Sequence, residues 1–131
     1  MRRIHLIVGV LAVIAFVITG QVMAHHNPDI HTLSAEVQMM YVSRHIYLLG
    51  AALVNVVLGL YLKPHLPGWR SRLQETGSLL ILFSALSLLL AFSAEPPLGF
   101  AGRGWRSYAG MIALFAGVIA HLVASLGCKP N

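Results

Sequence analysis

Seven histidines stand in a chain of 131 residues, and four of them, His25, His26, His31 and His45, share one stretch with Asp29 and Glu36. Imidazole and carboxylate together suit zinc, copper or non-haem iron. These six residues are therefore the candidate metal ligands, with copper, zinc or haem as the groups they would serve. The spacing follows no strict ligand motif, such as two histidines at i, i+4 with a glutamate between them. On a helix, Glu36 and His45 lie about 2.5 turns apart and face roughly opposite sides. The default expectation is thus no cofactor, and a solvated loop whose histidines are incidental.

Two polar residues fall inside apolar runs. His121 lies about one and a half turns from the end of the last run, where an imidazole can hydrogen-bond a neighbour, move protons or ligate haem. A bond to Asn55, a serine or backbone is the expected role. Two histidines at one depth would be needed to hold a haem from both sides; His45 is a membrane away, and His5 is the partner at matching depth. Asn55 lies midway along the second run, and an amide in lipid calls for an interhelical partner. Arg44 and His45 stand at a membrane boundary, where anchoring to lipid phosphate explains both. The alternative for Arg44 is an ion pair with Glu95 or Glu36 across that mouth.

An enzyme is not indicated. No acidic pair falls in an apolar run, no glycine-rich phosphate loop precedes a helix, and no serine, histidine and acid form a recognisable nucleophile motif. A proton-coupled transporter ordinarily carries an intramembrane carboxylate, so a small permease ranks last.

The segments that must position these residues are apolar. The chain is 57% hydrophobic and 10% charged, with a mean hydropathy of +0.76, where soluble domains carry about 25% charged residues. Four runs, 4–23, 46–62, 77–94 and 108–126, each match the roughly 30 Å of a hydrocarbon core at 1.5 Å per residue. The last three contain no Asp, Glu, Lys or Arg, and lipid leaves helices as the way to satisfy their backbones. The second helix is expected to begin near Ser34, because 33–44 has no breaker. The fold expected is an all-α, up-and-down four-helix bundle in one transmembrane domain, with a histidine-rich loop at 25–33, a connection at 63–75 and another at 95–106. Lys63-Pro64-His65-Leu66-Pro67-Gly68 and Glu95-Pro96-Pro97-Leu98-Gly99 supply the breaks.

Small residues mark expected packing faces: Ala51, Asn55 and Gly59 on the second helix; Gly77, Ser84, Ser87 and Ala91 on the third; Ala109, Ala113, Ala116, Gly117, Ala120 and Ala124 on the fourth. Basic residues set the sidedness. Arg2, Arg3, Lys63, Arg70, Arg72 and Lys129 oppose one acid, Glu75, on one side, while Arg44, Arg103 and Arg106 are matched by Asp29, Glu36 and Glu95 on the other. The first side is then cytoplasmic, with both termini inside and the histidine-rich loop outside. Tyr61 and Trp69 are expected at the inner boundary, and Tyr41, Tyr47, Trp105 and Tyr108 at the outer one.

Residues 1–24 also read as a signal peptide, with Arg2 and Arg3 before an apolar centre and small residues near Ala24. Cleavage would leave three helices, and His25 would offer an α-amino group beside its imidazole, a strong pair for copper(II). The net charge of +5 is spread between apolar runs rather than gathered in a stripe, so nucleic acid is not an expected partner. The lone Cys128 allows neither an internal disulfide nor a cysteine-based zinc site. The expectation is a small multipass protein of the bacterial cytoplasmic membrane whose partners are the lipid bilayer and itself or a larger membrane complex. Its role there would be that of a non-catalytic accessory or structural subunit. Metal or haem binding at the histidines is the alternative.

Overall fold

In the computed structural model, residues 1–62, 68–98 and 104–126 are described, and among them the regular structure is entirely helical. Helix α1 spans Arg2–Ala24, α2 Ala35–Tyr61, α3 Trp69–Ala94 and α4 Trp105–Ser125. All four are long and apolar enough to cross a membrane. At 27 residues α2 is about 40 Å long and exceeds the thickness of a hydrocarbon core. It starts where Ser34 accepts a hydrogen bond from the Val37 N–H at 3.4 Å, a side-chain cap for an otherwise unpaired donor. Ahead of it, a 3-10 turn over Ile30–Thr32 is capped by Asp29, which accepts from the His31 N–H at 2.9 Å.

Helix α3 begins at Trp69, ahead of the apolar run that starts at residue 77. Arg70 to Glu75 are good helix formers, and nothing among them breaks the helix until Gly68, whose φ of +64° ends it. Half of the expected 63–75 connection is therefore helix. Residues 63–67, 99–103 and 127–131 lie outside the described residues, and with them Lys63, Arg103, Cys128 and Lys129.

Helix α1 packs along α2 and α3 along α4, while the two hairpins meet mainly through α2 and α3, and α2 scarcely touches α4. Between the hairpins lies a dry layer in which Ala51, Ile81 and Leu88 have no exposure at all, and Leu48 and Ala52 are as fully sealed within the first hairpin, against Ala12 of α1. The outward faces are the reverse: Ile7, Leu11, Ile14 and Ile18 of α1, and Ile112, Phe115, Ile119 and Leu122 of α4, are each about half exposed or more. A water-facing surface this apolar would aggregate; a hydrocarbon surround matches it.

Close contact within each hairpin depends on glycine. A Cβ on Gly59 would stand 2.6 Å from the Leu6 backbone, and one on Gly117 would stand 2.6 Å from Ile81 and 2.7 Å from the Gly77 carbonyl. The expected small faces of α2 and α3 are buried as a set. The face of α4 is narrower than its small residues suggest: Ser107, Gly110, Ala113, Gly117, Ala120 and Ala124 are buried, while Ala116 is exposed and Ala109 only partly covered. Alanine is apolar enough to face the outside as readily as to pack. Of the aromatic residues expected at the boundaries, Tyr41 faces inward. It is buried edge-on against Phe92, with ring centres 5.7 Å apart, whereas Tyr61, Trp69, Trp105 and Tyr108 are exposed.

Candidate functional site

Apart from Ser84, whose hydroxyl is spent on the Ile81 carbonyl of its own helix, the buried polar residues form two groups, one at each end of the dry layer. At the first end Glu95, the residue that caps α3, is 2% exposed. Its Oε2 accepts from Arg44 Nε at 3.1 Å. Its Oε1 accepts from the backbone N–H groups of Arg106 and Ser107 at 2.9 and 3.0 Å, and the Ser107 hydroxyl donates to Oε2. Those N–H groups open α4, where a helix leaves donors unpaired and its dipole favours an anion. One carboxylate thus joins α2, α3 and α4. Arg44 also donates to Ser43 Oγ at 2.9 Å, and its side chain is 13% exposed. The phosphate-anchor expectation for Arg44 gives way to the ion pair, because α3 ends and α4 begins directly over it. Burial pushes the Glu95 carboxyl up, but the Ser107 hydroxyl and N–H and the Arg44 guanidinium together outweigh that and hold it below its ordinary value.

Beside this lock, His45 stacks on Phe16 at 4.0 Å between ring centres, and its Nδ1 meets Thr19 Oγ1 at 2.9 Å. The Thr19 hydroxyl gives its hydrogen to the Phe16 carbonyl at 2.9 Å, so His45 Nδ1 is the donor to Thr19. His26 bonds the Pro28 carbonyl through Nδ1 at 2.7 Å and Tyr41 through Nε2 at 3.2 Å, while His25 bonds the Gln21 carbonyl at 3.0 Å. Asp29 is occupied in capping the 3-10 turn that holds His31, and Glu36 lies in the first turn of α2. Of the six candidate ligands His25, His26, Asp29, His31, Glu36 and His45, four are thus engaged in separate bonds of their own, those of His25, His26, Asp29 and His45. Among the described residues no three His, Cys, Asp or Glu side chains gather as a metal-holding group.

The second end holds His5, Asn55, Ser78 and His121. Asn55 is fully buried and its Nδ2 donates to the Ala51 carbonyl at 2.9 Å and the Ile81 carbonyl at 3.5 Å. Its amide orientation is thereby fixed, and Oδ1 is left to accept from His5 Nδ1 at 2.8 Å. With the hydrogen on Nδ1, His5 Nε2 is a bare lone pair, and this atom is buried without a partner. The His121 ring stands 6.4 Å away, at 75° to it, and its Nε2 meets Ser78 Oγ at 3.2 Å. Of the expected partners of His121, a serine is the one found; Asn55 is taken by His5.

Asn55 and His121 are legible in the sequence through their rarity in apolar surroundings, and Arg44 and Glu95 through their place at one membrane boundary. His5 is legible only as a depth-mate of His121. Thr19, Ser78 and Ser107 were missed, because a hydroxyl in a membrane helix usually satisfies itself on its own backbone, and its sequence position does not separate the two uses.

Removing the Asn55 amide leaves His5 with neither ring nitrogen satisfied. Asn55→Leu is expected to lower stability by about 1 kcal/mol, the size of interhelical hydrogen bonds in bilayers. Most of that loss should return in the double variant with His5→Leu, which removes the orphaned group as well. Unfolding in mixed micelles checks this; a double variant no better than the sum of its parts would show that the pair is not coupled.

Beside His121 a cleft of about 620 Å³ opens between α2 and α4, walled by Leu53, Val57, Leu58, Val118 and Leu122. Comparison with known protein families, with characterised proteins and with solved structures finds no match for this chain.

Proposed function

We propose that the chain is a small multipass protein of the bacterial cytoplasmic membrane that serves as a non-catalytic structural or accessory subunit, packing in the bilayer against itself or a larger complex. The observation that carries this reading is how its buried polar groups are used. Arg44, Glu95, His45, Thr19, His5 and Asn55 each bond a residue on another segment, which stiffens the bundle. The layer of Leu48, Ala51, Ala52, Ile81 and Leu88 separates the two polar ends and speaks against a polar route through the molecule. Partners are then met at the lipid-facing surface. There Gly50 of α2 has nothing within 4 Å of where a Cβ would stand, and Ile46, Leu53 and Val57 lie exposed along the same side. Another helix can come close at such a spot. The excess of basic residues on one side supports termini that face the cytoplasm, and the Arg106 guanidinium over the Trp105 ring, at 5.0 Å, suits the opposite boundary.

The test is particle mass in lipid nanodiscs or mild detergent, measured by native mass spectrometry. Wild type should run as a defined oligomer or a stoichiometric complex. Gly50→Leu should reduce it to the single chain while the bundle stays folded, since a Cβ at this position has open space around it. A wild-type protein that is monomeric and alone would end this reading.

A further inference from the structure

We propose that the cleft between α2 and α4 binds a membrane quinone, a neutral ring compound bearing oxygen on an apolar tail, with His121 as the contact to its head. The shape is that of a small-molecule site. Its volume of about 620 Å³ falls within the range of roughly 300–1,000 Å³ typical of ligand pockets. Because α2 and α4 barely meet, the cleft is open sideways, so a compound dissolved in the bilayer enters without crossing water. The walls are mostly aliphatic, with Tyr61 and Gln74 among them, and among the described residues no Asp, Glu, Lys or Arg lines them. A charged head would find no counter-charge among these residues, which disfavours phospholipid headgroups and fatty acid anions as occupants of the polar part.

The polar part is what separates this cleft from a groove for any acyl chain. His121 reaches its lining, with Ser125 near by on the same helix. An imidazole donates from one nitrogen and accepts at the other, so it can pair with a carbonyl oxygen or with a hydroxyl by exchanging tautomers. Quinone and quinol present those two faces in turn. Independently, His5 carries a fully buried Nε2 lone pair with no donor, held toward that state by Asn55 and set 6.4 Å from the His121 ring. A bare acceptor left unpaired in an apolar interior is costly. It is accounted for when the neighbouring imidazole must adopt whichever tautomer the bound form calls for, donor to a quinone or acceptor from a quinol, the ligand being neither reduced nor oxidised at this site. Two imidazoles in contact, with the amide of Asn55 fixing the inner one, give the ligand head a hydrogen-bond partner of adjustable polarity.

The full chain in nanodiscs, titrated with decylubiquinone and with its reduced quinol, provides the test, read by calorimetry and by thermal shift. Expected is saturable binding at one equivalent per chain for both forms. His121→Leu should weaken both at least tenfold, and His121→Gln, which keeps a donor and an acceptor, should recover part of the loss. Val118→Phe, which fills the cleft but keeps the imidazole, should abolish binding while the protein stays folded. His5→Leu should weaken one redox form more than the other, an effect that a purely structural role would not produce. If decane competes as well as the quinone, the cleft is an acyl-chain groove and the proposal fails. It fails equally if binding is not saturable or survives both His121→Leu and Val118→Phe.

Discussion

Glu95→Ala should destabilise the bundle by about 3–5 kcal/mol, the range found when one partner of a buried pair is removed and the other charge is left alone. Three losses coincide. Arg44 keeps its charge at 13% side-chain exposure, the Ser107 hydroxyl loses its acceptor, and the two N–H groups that open α4 lose theirs. Deleting the arginine as well should restore part of the stability, because the stranded charge goes with it, so Arg44→Met on top of Glu95→Met should cost less than Arg44→Met alone. Equal costs on the two backgrounds would mean that the pair contributes nothing of its own. Acidity tests the same lock in another way. The Glu95 carboxyl is held below its ordinary value of 4.5, so the folded state binds its proton less readily than the unfolded chain does. The stability this supplies is complete above about 4.5 and is lost as pH falls through the lowered folded value. Thermal midpoints measured downward from pH 7 should therefore hold until below pH 5 and then fall, and Glu95→Gln should remove this component of the slope.

The second large effect is at Gly117, where the sign of the change is diagnostic. Inside a helix, alanine in place of glycine stabilises by about 0.5–1 kcal/mol through backbone entropy alone. At Gly117 the new methyl would stand 2.7 Å from the Gly77 carbonyl and 2.6 Å from Ile81 Cγ1. The isoleucine can rotate, but the carbonyl belongs to the backbone of α3 and cannot yield without moving the helix. Gly117→Ala should therefore destabilise by about 1–3 kcal/mol, as overpacking does, while Gly50→Ala, with open space around it, should be neutral or slightly stabilising. The same sign at both sites would show that α3 and α4 are not pressed together at this glycine.

Much of this architecture was legible before any coordinates. The four apolar runs, the Pro-rich breaks and the unbroken approach to Tyr41 anticipated four helices and an α2 that starts at Ser34, because lipid allows few alternatives. Helix extent at polar ends was not legible. Trp69 to Glu75 reads as connection by hydropathy and as helix by propensity, and propensity won where no apolar demand opposed it. Pairing was legible only by depth. Glu95 and Arg44 stand 51 positions apart, and Arg44 had two acids to choose from; the choice was made by the way α4 folds back to place Ser107 on the same carboxylate. His5 was legible as a depth-mate of His121, but its bond to Asn55 was not, because depth alone does not say which face of α1 lies against α2.

The division of the bundle into α1–α2 and α3–α4 has a consequence for how the chain is made. Helices leave the ribosome in order, so the first pair can close Asn55 upon His5 and seat Gly59 against Leu6 while the rest of the chain has yet to be translated. Arg44, however, does not meet the carboxylate it pairs with until residue 95 has been synthesised and threaded to its side. For that interval the nascent hairpin must keep a guanidinium at the membrane rim, hydrated or resting on lipid phosphate, and the arrival of Glu95 is the event that converts two separately inserted halves into one body.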